Sequence, residues 1–232
     1  MSFYLNEVLA NPGNYGGTRI AGKIQYLVLH YTGNDGDTAL SNARYFQDNV
    51  VKSSAHYFVD DAMVCRSVPE LRTAWAVGGK KWADCAVTGG GTLYGVVTNS
   101  NSISVELCDT RTDGVYGASD ETLENAIDLC REIMTRYKIP IERVVRHFDV
   151  TGKHCPAYMM DENLWETFKT CLDAPEPLDN TPSPAHKEGV EWAVKNGILT
   201  GDAAGNLKLT EPVTRQQFCT MLYRYANRKG VK

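Results

Sequence analysis

The chain has 232 residues, 43% of them hydrophobic and 22% charged, with a formal net charge of −4 at pH 7. That is room for one full-sized domain and a small one, and no run approaches the ~20 apolar residues of a membrane span. Mild acidity, with no basic block interleaved with aromatics, speaks against nucleic acid or membrane as a partner.

The first residues, MSFYLNEVLANPGNYGG, offer neither a basic start nor an apolar stretch. They do not read as a signal peptide, so the expectation is a protein made in the cytoplasm. Residues 24–31, IQYLVLHY, form a short apolar run of the kind that makes a strand buried on both faces. Residues 38–48 read as a helix, with Leu40, Ala43, Tyr45 and Phe46 on one side. Residues 56–60, HYFVD, predict a second strand. The stretch 78–101 is rich in Gly, Thr and Asn and predicts a long surface loop near the site.

In residues 102–108, SISVELC, Ile103, Val105 and Leu107 share one strand face, and Ser104, Glu106 and Cys108 the other. Residues 119–138 are the strongest helix: Leu123, Ala126, Ile127, Cys130, Ile133, Met134 and Tyr137 follow the 3.6 period. Ser119 suits the N-cap, and Pro140 lies just past the end. Val144 and Val145 predict a short strand entering a polar turn, RHFDVTGKHCP, at 146–156. Strands alternating with helices make this an α/β pattern with a central sheet.

Residues 173–184, DAPEPLDNTPSP, hold four prolines in twelve residues and predict an extended linker. The expected domains are therefore 1–172 and 185–232. The seven cysteines, Cys65, Cys85, Cys108, Cys130, Cys155, Cys171 and Cys219, are odd in number and scattered. Most are expected to be reduced, small core residues.

Cys155 is the exception. His30 closes the buried strand, where polar side chains in α/β folds tend to face a site, and His147 and Cys155 flank a turn holding Gly152 and Pro156. Two imidazoles and a thiolate make a sensible zinc site with a fourth position open. Taken alone, a His is more often a satisfied core or surface residue than a ligand, and a Cys before Pro reads equally as a buried turn residue.

The segments LVLHYTG (27–33), SAHYFVD (54–60), NSISVELC (101–108) and RHFDVTGKHCP (146–156) resemble, in order, the type-2 N-acetylmuramoyl-L-alanine amidases. That family includes phage endolysins and is related to the peptidoglycan-recognition proteins. The resemblance implies a central mixed β-sheet flanked by helices, and hydrolysis of the amide bond between N-acetylmuramic acid and L-alanine in peptidoglycan. It implies His30, His147 and Cys155 as zinc ligands, with His154 as a rival to Cys155. It further implies Glu106 as acid/base and Lys153 as the residue that stabilises the oxyanion. Asn34, His56 and Trp75 are candidate substrate contacts. The chain departs from the family pattern at His56, where Tyr is common, and at Ala76, where a His often follows the tryptophan. A protein that binds peptidoglycan without cutting it, and a zinc peptidase of the stem peptide, are the rival readings.

Residues 186–226 resemble a single S-layer homology repeat, through Trp192-Ala193, Asn196-Gly197-Ile198, Thr200-Gly201 and Pro212-Val213-Thr214-Arg215. The resemblance implies binding to a secondary cell-wall polymer through Trp192 and Arg215, and one repeat alone suggests a homo-oligomer. Together these features imply an endolysin that acts at the bacterial wall after release.

Overall fold

The computed structural model describes residues 3–174, 178–203 and 205–227. Its strands and helices, in chain order, are β1 (Leu5–Glu7), β2 (Tyr15–Thr18), β3 (Tyr26–Tyr31), α1 (Ala39–Asp48), β4 (Tyr57–Val59), β5 (Val64–Arg66), β6 (Arg72–Ala74), α2 (Cys85–Thr88), β7 (Ser102–Leu107), β8 (Thr110–Thr112), β9 (Val115–Gly117), α3 (Asp120–Tyr137), β10 (Val144–Arg146), α4 (His147–Thr151), α5 (Glu162–Asp173), α6 (Lys187–Lys195) and α7 (Arg215–Ala226).

The main sheet runs β1-β5-β4-β7-β3-β10. β3 pairs in parallel with both β7 and β10, whereas β4 meets β5 antiparallel, so the sheet is mixed. This is the expected α/β class, a central mixed sheet flanked by helices.

Alternation along the strands decides what covers each face. Leu27, Leu29, Ile103, Val105 and Leu107 pack under Ala126, Leu129, Cys130 and Ile133 of α3 and Trp165, Phe168 and Leu172 of α5. Each large aliphatic or Phe side chain among them, fully buried, contributes roughly 1.5–3 kcal/mol. On the opposite face Phe58 and Cys108 meet Ala39 and Ala43 of α1. Val28 and Val145 meet Val150 of α4 together with Val77 and Val97. His30 and Glu106 share this second face, opposite each other in register, at the C-terminal ends of β3 and β7.

Two helices begin as expected. The Ser119 side chain accepts from the Thr122 N–H, ahead of Asp120 and Glu121 in the first turn of α3. The Thr38 and Ser41 side chains cap α1 reciprocally. Residues 146–156 correct an expectation: the polar turn contains the helical turn α4. Asp149 accepts from the Arg146 backbone N–H at 2.7 Å, and the Arg146 guanidinium donates to the same carboxylate at 2.9 Å. Five residues are too few to show a period, so local hydrogen bonds determine this helix.

The chain divides into two compact units, Met1–Ala174 and Pro175–Lys232. In the second, the Thr214 side chain caps α7 by accepting from the Gln217 N–H. Trp192 of α6 lies 6.2 Å from the Tyr225 ring of α7. The expected linker, 173–184, needs correcting where it can be seen; Pro175, Glu176 and Pro177 lie outside the described residues. Beyond them Asp179 accepts from the Thr210 backbone N–H at 2.6 Å, and Asn180 accepts from the Leu207 N–H at 2.7 Å. Those short polar side chains stitch the segment to a turn of the second unit, so it is not a free spacer from end to end.

Candidate metal centre

β10 lies beside β3 in parallel register, with Arg146 opposite Leu29. The residue after β10, His147, therefore arrives at the level of His30 on the same sheet edge. After α4, Gly152 (φ 86°) turns the chain back, and the Phe148 N–H donates to the Cys155 carbonyl at 3.1 Å. A Cβ at position 152 would fall 2.2 Å from Cys85 Sγ, so the turn that returns Cys155 requires glycine.

The result is a convergence of His30, His147 and Cys155, whose ligand-type atoms all lie within 4.8 Å of one another. Cys155 Sγ is 3.8 Å from His30 Nδ1, and the two imidazole centroids are 4.7 Å apart. All three side chains are buried. Ligands around one zinc ion, at 2.0–2.3 Å each, sit on the order of 3.5 Å apart, so small side-chain rotations bring these atoms to that spacing.

His30 Nε2 and His147 Nδ1 are buried without a hydrogen-bond partner, a costly arrangement unless something else engages these rings. Burial, helped by His147 and Lys153, holds His30 well below its ordinary pKa, and burial with Lys153 lowers His147 to about 4. Both imidazoles are therefore neutral and offer lone pairs at neutral pH. Burial pushes the Cys155 thiol up to about 12, and a bound dication would reverse that shift. Two imidazoles and a thiolate suit a borderline-soft divalent metal.

Glu106 Oε1 is 3.9 Å from His30 Nδ1. This is no ion pair at neutral pH, because His30 is uncharged. Burial raises Glu106 to about 8, against a downward pull from Lys153 and an upward push from Asp37 and Asp109. A carboxyl beside the cluster is the kind of group that can take a proton from water and give it up again. Lys153 itself is exposed on the returning turn, and its charge is felt at His30, His147 and Glu106.

The other candidates separate. His154 lies outside the cluster: it is exposed and stacks on Trp82 with centroids 6.1 Å apart. Asn34 lies at the rim, on the loop that leaves β3, with Asp37 and Asn42 within 3.4 Å of its amide. His56 is corrected from a substrate contact to a sheet residue. It is 0% exposed; its Nδ1 accepts the Ser104 N–H at 3.0 Å, and Nε2 faces the Arg72 carbonyl at 3.2 Å. Burial and the neighbouring Arg19 lower it to about 3.

Trp75 is half-buried, and its backbone pairs with Ser54. Trp192 and Arg215 do not converge either: Trp192 meets Tyr225, ten residues along α7 from Arg215, or about 15 Å.

Asp109 was missed. It lies two residues past the end of β7, accepts from Thr32 Oγ1 at 2.7 Å and from the Gly33 N–H at 3.1 Å, and so fixes the loop leaving β3. Its position at a strand end is the same signal that singled out His30.

Among the described residues no helix is long and apolar enough to cross a membrane. Residues 21–158 match the N-acetylmuramoyl-L-alanine amidase family, and residues 179–219 match the S-layer homology domain. The chain is 34% identical over 175 residues to the N-acetylmuramoyl-L-alanine amidase CwlL of Bacillus licheniformis, covering 73% of this chain and 46% of that protein. It is 32% identical over 152 residues to CwlA of Bacillus subtilis (strain 168), covering 66% of this chain and 50% of that one. The chain thus spans about half the length of these relatives. Among solved structures it is similar to PlyL (30% identity, TM-score 0.58, 75% of this chain and 98% of that one). It is also similar to the PlyG catalytic domain (29%, TM-score 0.59, 78% and 99%).

Proposed function

Because the chain belongs to the N-acetylmuramoyl-L-alanine amidase family, we propose that its first 172 residues form a zinc hydrolase of peptidoglycan. The bond cut is the amide between N-acetylmuramic acid and L-alanine, and the outcome is lysis of the bacterial wall. The observation that carries this reading is the buried meeting of His30, His147 and Cys155 with Glu106 at 3.9 Å. Free N-terminal alanine should appear in step with clearing when the zinc-loaded protein is added to isolated walls. Clearing without new alanine termini would refute the bond assignment.

Zinc held by His30, His147 and Cys155 would polarise the amide carbonyl and acidify water there. Glu106 accepts the proton of the attacking water and passes it to the leaving amine of alanine. Lys153 places its ammonium against the oxygen of the tetrahedral centre. Lys153→Met should therefore lower kcat by ~10²–10³ with little change in KM. An unchanged kcat in a protein of normal zinc content would remove Lys153 from the chemical step.

The S-layer homology region supplies wall attachment, with a secondary wall polymer as its ligand and several copies acting together through avidity. Apolar side chains such as Phe218 and Leu222, about half exposed, are available for contact between copies. Ending the chain after Asp173 should spare cleavage of soluble muropeptides, weaken lysis of whole cells, and turn an oligomer into a monomer by light scattering. Full lysis of whole cells by the shortened chain would leave the second unit without a targeting role.

A further inference from the structure

Trp82 leaves 47% of its surface in solvent although it sits against the turn that carries Cys155. Its backbone N–H donates to the Thr151 carbonyl at 2.8 Å. Its Cβ would stand 3.2 Å from a side chain at position 152, so the glycine there lets the two segments close. The indole lies nearly parallel to the His154 ring, at 19°, and Phe148 meets that imidazole edge-on with centroids 6.0 Å apart. An indole stacked on a residue adjacent to Cys155, with about half of its surface in solvent, has the make-up of a binding surface.

Sheet order gives that surface a direction. Across β7, β3 and β10 the groups run Glu106, His30, His147, and Trp82 is held to Thr151 at the end of α4, the helical turn that follows β10 and packs on Val28 and Val145 rather than on β7. Glu106, which delivers the proton to the leaving amine, stands at one end of the row. The peptide half of the substrate therefore departs on that side, and the acyl half, the sugar with its lactyl arm, extends toward the other. A pyranose ring has a face made of C–H groups, which matches an open indole, whereas a peptide backbone needs hydrogen-bonding partners.

We propose that Trp82, backed by His154, is a stacking subsite for an N-acetylated pyranose ring of the glycan strand, on the acyl side of the bond that is cut. The proposal rests on the amidase reading above.

The test uses the zinc-loaded, full-length Glu106→Gln protein, titrated with an N-acetylglucosamine tetramer and separately with a sugar-free stem peptide. Adding Trp82→Ala should weaken tetramer binding about tenfold and leave peptide binding and zinc content as in the parent. Adding Trp82→Phe should keep tetramer binding within about threefold. Equal tetramer affinity with and without the Trp82 side chain, or a loss confined to the peptide, would overturn the subsite. Wild-type cleavage of walls is measured alongside. Cleavage without Trp82-dependent sugar binding removes the subsite alone, and Trp82-dependent sugar binding without cleavage removes the amidase reading alone.

Discussion

Glu106→Gln should yield a folded, zinc-loaded protein that has lost roughly 10²–10⁴ of its turnover on isolated wall. The amide is nearly isosteric with the carboxyl and keeps the contacts of a strand residue, but it cannot accept a proton from water or return one to the amine. The metal-free proteins offer a second readout. Glu106 has a folded pKa of about 8 against an ordinary 4.5. The folded state binds its proton more tightly, so stability falls as pH climbs from about 4.5 toward about 8. Glu106→Gln should flatten that decline in thermal melts. Turnover within a few-fold of wild type would strip Glu106 of its acid/base role.

Cys155→Ala should abolish activity along with stoichiometric zinc. Two neutral imidazoles remain, and they bind a borderline-soft dication far more weakly than a set that includes a thiolate. The thiol sits at about 12 without metal, so zinc loading releases a proton and weakens as pH falls. His147, lowered to about 4, adds little competition from protons near neutrality. Zinc at a thousandfold excess over its Kd should stabilise the wild type by about 4 kcal/mol, and that gain should vanish in the variant. Without metal the two proteins should melt close together, since a buried neutral thiol is a small apolar group. Full zinc in Cys155→Ala would mean a different ligand set.

The parts of the fold legible in the sequence are those with enough length to carry a period. Residues 102–107 alternate and 120–137 repeat at 3.6, and both appear where the pattern places them. Three-residue strands such as β1, β5 and β6 hold too few positions to alternate, and they exist because neighbouring strands pair with them. α4 arises from Arg146–Asp149 bonding and a glycine cap rather than from any repeat.

For the site, the residue types and family-like segments were enough to gather His30, His147, Cys155 and Glu106. Register then explains the gathering, because parallel neighbours end at one sheet edge. His56 misled because a polar residue beside a strand looks accessible, whereas its partners, the Ser104 N–H and the Arg72 carbonyl, lie inside the sheet. The Trp82–His154 stack was invisible for the opposite reason. It depends on the 78–101 loop folding across α4, where Gly91 and Leu93 donate to the Phe148 and Asp149 carbonyls, and spacing along the chain does not encode that contact.

Mass spectrometry of isolated wall digested by the zinc-loaded protein tests the central claim most directly. The amidase account predicts stem peptides with a free L-alanine amino terminus, and glycan strands that retain intact N-acetylmuramic acid with its lactyl carboxylate. Peptides cut between stem residues, or sugars with new reducing ends, would contradict it.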